Sequence, residues 1–298
     1  AAAHRLRTAG TRHQVQKQIG QTGIPVSTVA NAGATGATAL RTPIMADLRK
    51  FHNATRRTFV PTRELQADLE RCGFQGLRVV SRGVDTQRFH PAHRDEALRR
   101  SWTVAPDGLA VLCLGRLAPE KNLDLLLRAF DALALRVPGA RMVLVGDGPL
   151  RASLQARRTG YHFAGQRAGE DLARHVASAD LFLFPSMSET FGNVVTESMA
   201  SGVPVLAFGH AAALQLIGPG HDGQRVPLGD EAAFVDAAVA AALDRPQLAQ
   251  WSKEARRTVE PLDWSGIVER FEAELREALH PAVPEWRVSQ HCHEKFSH

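Results

Sequence analysis

The sequence predicts an α/β fold, a parallel sheet wound by helices on both faces. From about residue 108 onward, short β-branched or apolar runs alternate with amphipathic stretches of helical length. The runs are apolar throughout rather than every second residue, as expected of strands covered on both faces. The residues best suited to chemistry fall directly after these runs, where the carboxyl ends of parallel strands open onto a crevice.

The elements follow in order. Val29–Leu40 is nearly all Ala, Gly, Thr and Asn and is expected to be irregular. Leu48–Val60 and Glu64–Gly73 have helical patterning on either side of Pro61-Thr62, and Leu77–Ser81 has the composition of a strand. The apolar runs are then Leu109–Leu114, Met142–Val145, Tyr161–Phe163, Leu181–Phe184 and Val203–Phe208. Helical segments are predicted at 121–136, 149–158, 169–178, 193–201 and 230–243. Right-handed crossovers between such strands produce a doubly wound, Rossmann-like sheet. Ile267, Phe271 and Leu275 recur at four-residue spacing and predict a helix over Trp264–Leu279. The polar stretch Pro281–His298 is expected to be disordered.

Composition narrows the function classes. The 298 residues are 44% apolar and 22% charged, ordinary for a globular protein. No stretch reaches the roughly 18 to 20 apolar residues of a membrane span, and no secretory leader is seen; both predict a cytoplasmic protein. Cys72, Cys113 and Cys292 are odd in number and far apart, which excludes a disulfide framework. The net charge of +5 comes mostly from arginine, with lysine only at positions 17, 50, 121, 253 and 295. No basic stripe with interleaved aromatics accompanies it, so nucleic acid is not expected as a partner, while an anionic membrane surface stays open.

Two loops carry the chemistry. Gly115-Arg116-Leu117-Ala118-Pro119-Glu120-Lys121-Asn122 follows the run ending at Leu114. Arg116 offers a planar fork of donors for phosphate oxygens, and Lys121 a compact charge. Lys121 is placed at the start of a helix, where the macrodipole disfavours a cation unless an anion binds. Pro185-Ser186-Met187-Ser188-Glu189-Thr190-Phe191-Gly192-Asn193-Val194-Val195-Thr196-Glu197 follows Phe184. Glu189 lies in that loop, and Gly192 permits close backbone approach. Asn193 is the expected cap of a helix whose first amides, about 193–195, bind an anion. Glu197 falls one turn later. Two carboxylates beside a phosphate site suit sugar hydroxyls on either side of it. Other features carry less. Gly146-Asp147-Gly148 lacks the third glycine of a dinucleotide fingerprint. His162 and His175 are read as packing or surface residues, and His291-Cys292-His293 with His298 lacks a scaffold for zinc.

Gly115-Arg116-x4-Lys121 with Glu189-x7-Glu197 resembles the retaining glycosyltransferases of the GT-B fold, the large family 4 group. The likeness extends to Ser81-Arg82-Gly83-Val84-Asp85, Phe89-His90-Pro91, Val145–Pro149, Phe163–Gly165 and Ala200–Val205. The Phe191–Val195 wording and Ala211-Ala212-Ala213 are similar to bacterial α-mannosyltransferases that use GDP-mannose. The resemblance implies that Arg116, Lys121 and Glu189 are catalytic, the cations neutralising the leaving diphosphate and Glu189 meeting the transferred hexose. It implies donor contacts from Gly115, from the backbone of Phe191, Gly192, Asn193 and Val194, from Glu197 to the ribose, and from Gly165 and Gln166 to the base. The implied donor is GDP-mannose or a UDP-sugar, and the acceptor a lipid or saccharide. No Asp-x-Asp motif lies in the donor crevice, so no metal or other cofactor is expected.

The resemblance divides the chain into an incomplete acceptor-side domain (1–88), a donor domain (89–263) and a returning helix with a tail (264–298). Gly23–Thr28 is similar to a strand of the first domain, but no residue inherits the family's catalytic histidine. A fragment or degenerate copy that binds nucleotide sugar with impaired catalysis is therefore the alternative to an active transferase. A sugar-nucleotide epimerase is the third reading, and Glu189-x7-Glu197 argues against it.

Overall fold

The computed structural model describes residues 38–279, with side chains from residue 44. Gly23–Thr28, Val29–Gly36 and Pro281–His298 lie outside the described residues. The first part is a small layer. Helix α1 (Thr38–Asn53) and helix α2 (Arg63–Arg71) flank strands β1 (Thr58–Val60) and β2 (Leu77–Val79). The two strands pair in parallel, Thr58 opposite Leu77, and enclose Val60, Leu69, Phe74 and Leu77. This corrects two expectations. The helix predicted over Leu48–Val60 ends at Asn53, and residues 38–40, expected to be irregular, are helical. Helical periodicity runs past Asn53, but Thr58-Phe59-Val60 favours extended backbone and finds a ladder with β2. The strand expected over Leu77–Ser81 stops at Val79.

Thr62 caps α2, its hydroxyl oxygen accepting from the Leu65 amide at 3.2 Å. Thr62→Ala is expected to lower the unfolding free energy by about 1 kcal/mol. Urea denaturation checks this, and an unchanged midpoint would remove the cap from the account.

The main body is a six-stranded parallel sheet. Its strands are β3 (Ala110–Leu114), β4 (Arg141–Val145), β5 (His162–Gly165), β6 (Leu181–Phe184), β7 (Val205–Phe208) and β8 (Gly223–Val226). Their spatial order is β5-β4-β3-β6-β7-β8. Helices α4 (Leu123–Arg136), α5 (Arg151–Arg157) and α9 (Glu231–Leu243) pack on one face. Helices α6 (Gly169–Ala177), α7 (Asn193–Ala200) and α8 (Ala211–Leu216) pack on the other. Strand β3 shows why its run is continuously apolar: Ala110, Leu112 and Leu114 serve one layer, Val111 and Cys113 the opposite one. Each such leucine contributes on the order of 1.5–3 kcal/mol by leaving water.

Three further helices were not read from the sequence. Helix α3 (Glu96–Ser101) carries the buried Arg99, which holds Asp180 at 3.0 Å and the Ser178 carbonyl at 2.8 Å. Asp180 in turn accepts from the Ala110 amide at 2.7 Å, locking the entry to β3. Helix α8, only six residues long, and helix α10 (Arg245–Val259) complete the cover. Strand β8, Gly-Gln-Arg-Val at the sheet edge, has no apolar run to betray it. Helix α11 (Trp264–Leu279) forms as predicted and returns to the small layer. Phe271 meets Phe59 edge-on at 4.9 Å, and Arg57 pairs with Glu277 at 3.1 Å.

Candidate active site

The strand order determines where a ligand can lie. The chain winds outward in one direction from β3 and in the other from β6, so the loops leaving these neighbours diverge. The two loops singled out in the sequence are those two loops.

The loop after β3 begins at Gly115, with φ +132° and open space on its side-chain face. It is tied to its neighbours by backbone bonds. The Gly115 amide donates to the Val145 carbonyl (3.0 Å), Leu117 to Asp147 (2.9 Å) and Gly146 to Gly165 (2.9 Å). Arg116 projects into solvent, 68% exposed, with Glu120 at 3.8 Å its nearest opposite charge. Lys121 ends a 3₁₀ turn, Pro119–Lys121, rather than starting a helix; α4 begins at Leu123 after Asn122 in the left-handed region. The dipole argument for an anion at Lys121 therefore does not hold. The side chain answers instead: Lys121 Nζ is paired with Glu189 Oε1 and lies 5.4 Å from the centre of the Phe184 ring.

Glu189 leaves β6 through the buried Ser186, whose hydroxyl donates to the same Oε1 at 2.7 Å. Gly192 takes φ +94° and is itself the cap of α7; Asn193 is the first helical residue, which corrects its assignment as cap. Only glycine adopts that backbone at low cost. The Val195 amide is taken by the Gly192 carbonyl at 2.9 Å, so of the three amides expected to face an anion, 193–195, Asn193 and Val194 are left. Phe191 is core, and its carbonyl accepts from Ala212 at 2.8 Å, fixing the loop from behind.

Glu197 sits one turn into α7, largely buried, and its carboxylate has no hydrogen-bond partner among the described residues. Burial pushes its pKa up to about 7, while Arg88 pulls the other way. Gly165 (φ +76°) is buried at the end of β5, and Gln166 beside it is exposed. They lie on the β4 side of the crevice, two strands from Lys121. The structure thus joins Lys121 and Glu189 directly, leaves Arg116 free to move, and sets Glu197 apart from the ion pair.

Sequence reasoning missed four contributors. Ser186 was quoted without a role. His210 donates from Nε2 to the Ser186 carbonyl at 2.9 Å. Glu64, from α2, accepts from the Ala211 amide at 2.8 Å and links the small layer to the sheet. Arg88 is the charge neighbour of Glu197. A cleft of about 790 Å³ between the two parts is lined by Lys121, Glu189, His210, Glu64, Phe59 and Phe271. The signal available was position alone, since Ser186 and His210 each follow a strand. His162 and His175 do pack, against Trp102 at 6.1 and 5.8 Å, and burial lowers the pKa of both. Among the described residues no three His, Cys, Asp or Glu side chains cluster to hold a metal. No described helix is long and apolar enough to cross a membrane.

Known proteins share this fold. The chain is 37% identical over 225 residues to a GDP-mannose-dependent alpha-mannosyltransferase of Mycobacterium tuberculosis, covering 75% of this chain and 57% of that protein. It is 33% identical over 254 residues to the sulfoquinovosyl transferase SQD2 of Arabidopsis thaliana, 82% of this chain and 48% of that one. It therefore spans about half the length of these curated relatives. Among solved structures, the sucrose-phosphate synthase of Thermosynechococcus elongatus superposes with a TM-score of 0.71 at 23% identity, over 86% of this chain and 66% of that one. Anabaena Alr3699/HepE in complex with UDP and glucose superposes with a TM-score of 0.68 at 23% identity, over 78% and 66%. The GT-B fold class expected from the sequence is the one observed. Residues 108–244, from the entry of β3 to the end of α9, match the family Glycosyl transferases group 1.

Proposed function

We propose that the protein transfers a hexose, mannose before others, from a nucleotide-diphosphate sugar to a lipid or saccharide acceptor with retention at the anomeric carbon. The observation that carries this reading is the Lys121–Glu189 pair at the divergence of β3 and β6, beside the first amides of α7. A cation, a carboxylate and unpaired amides in one crevice match the three parts of a sugar diphosphate. The diphosphate draws Lys121 away from Glu189, Arg116 swings in from solvent, and the Asn193 and Val194 amides complete the anion site. The released carboxylate of Glu189 then accepts from a hydroxyl of the hexose. Glu197 accepts from the ribose hydroxyls, and the backbone at Gly165-Gln166 meets the base. The two recruited cations and the helix amides supply the positive field that a metal supplies elsewhere. The acceptor enters through the cleft, whose Phe59 and Phe271 favour an apolar portion. A net charge of +5 suits an anionic membrane face where such an acceptor resides. Both curated relatives named above are transferases, which favours transfer over a binding module without turnover.

Glu197 supplies the test. A carboxylate with pKa about 7 is mostly neutral at pH 6 and mostly ionised at pH 8. Ribose hydroxyls bind the ionised form, so GDP-mannose affinity is expected to rise about tenfold over that interval. Without ligand the sign reverses. The raised pKa carries a cost in folding stability, and this cost is absent below the ordinary value of 4.5 and fully present above 7. Glu197→Gln should flatten the binding profile. Calorimetry with GDP-mannose and UDP-glucose at both pH values decides it. No binding of either donor, or a pH slope that survives in the Gln variant, would sink the site assignment.

A further inference from the structure

The geometry points to Ser186 as a positioning residue that holds Glu189 in its sugar-reading rotamer once the donor diphosphate has taken Lys121. It rests on the donor-site reading above and goes beyond it by explaining what keeps Glu189 in place during occupancy.

Oε1 of Glu189 accepts twice, from Lys121 Nζ and from the Ser186 hydroxyl at 2.7 Å. Oε2 has no hydrogen-bond partner among the described residues, and Glu189 lines the cleft. The two bonds to Oε1 therefore leave Oε2 as the oxygen available to a ligand hydroxyl. A bound diphosphate competes for Lys121, and a lysine on its flexible stem follows the stronger charge. Ser186 is then the remaining donor that fixes the carboxylate. Its own freedom is small. It is fully buried, its other acceptor, the Ser188 carbonyl, is distant at 3.4 Å, and its backbone carbonyl is held by His210 Nε2 at 2.9 Å. A hydroxyl without water access and with a single short acceptor has one orientation to adopt.

The readout is the ratio of affinities for GDP-mannose and GDP, since Glu189 meets the sugar and not the nucleotide. Ser186→Ala is expected to weaken GDP-mannose about tenfold while GDP changes less than about twofold. Ser186→Thr, which keeps the hydroxyl, should restore the ratio to within about threefold of the original. In a Glu189→Ala background, which removes the acceptor, the Ser186→Ala substitution should add nothing, because its effect passes through the Glu189 side chain. Equal loss of both ligands, an unchanged ratio, or a full Ser186→Ala effect in the Glu189→Ala background would overturn the assignment. If the unaltered protein binds neither ligand, the donor-site reading itself fails. If it binds both and only the Ser186 series is flat, the positioning role alone fails.

Discussion

Lys121→Ala is expected to lower kcat/KM for sugar transfer by about 10²–10³-fold, the usual cost of removing one group aimed at developing charge. The loss should fall mainly on kcat. Lys121 is already satisfied by Glu189, and both side chains are mostly shielded, 20% and 15% exposed. Binding a diphosphate exchanges one carboxylate partner for one phosphate partner, so the ground state gains little. As the glycosidic bond breaks, the diphosphate takes up a further negative charge, and Lys121 is then worth more than it was to the bound donor. Substitution has a second consequence, because it leaves Ser186 as the remaining hydrogen-bond partner of the Glu189 carboxylate among the described residues. Arg116→Ala should cost less, since Arg116 is 68% exposed and must be recruited before it acts. Steady-state kinetics with GDP-mannose, alongside GDP affinity by calorimetry, separates the effects. An unchanged kcat, or a loss carried by KM alone, would remove Lys121 from the leaving-group role.

The parts of this site legible in the sequence were those whose residue types have few other uses. A strand buried on both faces must be apolar along its length, so β3, β4, β6 and β7 stood out. Because such strands present ligands at their carboxyl ends, the two loops carrying Lys121 and Glu189 did so as well. Three features were hidden for physical reasons. β8 lies at the edge and needs no apolar run, so Gly-Gln-Arg-Val reads as loop. Thr58–Val60 is too short to break a helical period, and its strand identity comes from pairing with Leu77–Val79, seventeen or more residues away in the chain. Glu64 reaches the Ala211 amide across the cleft, a contact that depends on how the two layers meet rather than on either local pattern. Asn193 shows the converse error. Its side chain is a common cap, yet Gly192 with φ +94° occupies the capping position. Side-chain preference is a weaker constraint than the backbone conformation that the turn from β6 demands.

The largest expected effect on folding is at Gly146. A carbon added there would sit 1.9 Å from the Gly115 carbonyl oxygen and 2.9 Å from its carbonyl carbon, at a backbone φ of +141°. The obstacle is backbone, so no rotamer change relieves it. Relief requires the loops after β3 and β4 to part by about an ångström or more, at the cost of the ties from Gly115 to Val145, Leu117 to Asp147 and Gly146 to Gly165. Gly146→Ala is therefore expected to lose at least about 4 kcal/mol, a large share of the 5–15 kcal/mol that holds a domain folded. The backbone penalty alone does not account for this. Gly139→Ala places a carbon at φ +85° with nothing within 4 Å, and it should cost only about 1–2 kcal/mol. The difference between the two variants isolates the steric term, and urea denaturation of both measures it. A Gly146→Ala stability within about 1 kcal/mol of Gly139→Ala would mean that the loops yield freely. The same displacement would move Gly115 and with it Arg116. A yielding Gly146 variant should then bind GDP-mannose less tightly even while folded, whereas Gly139→Ala, in the turn between α4 and β4 at the opposite end of the sheet, should leave binding unchanged.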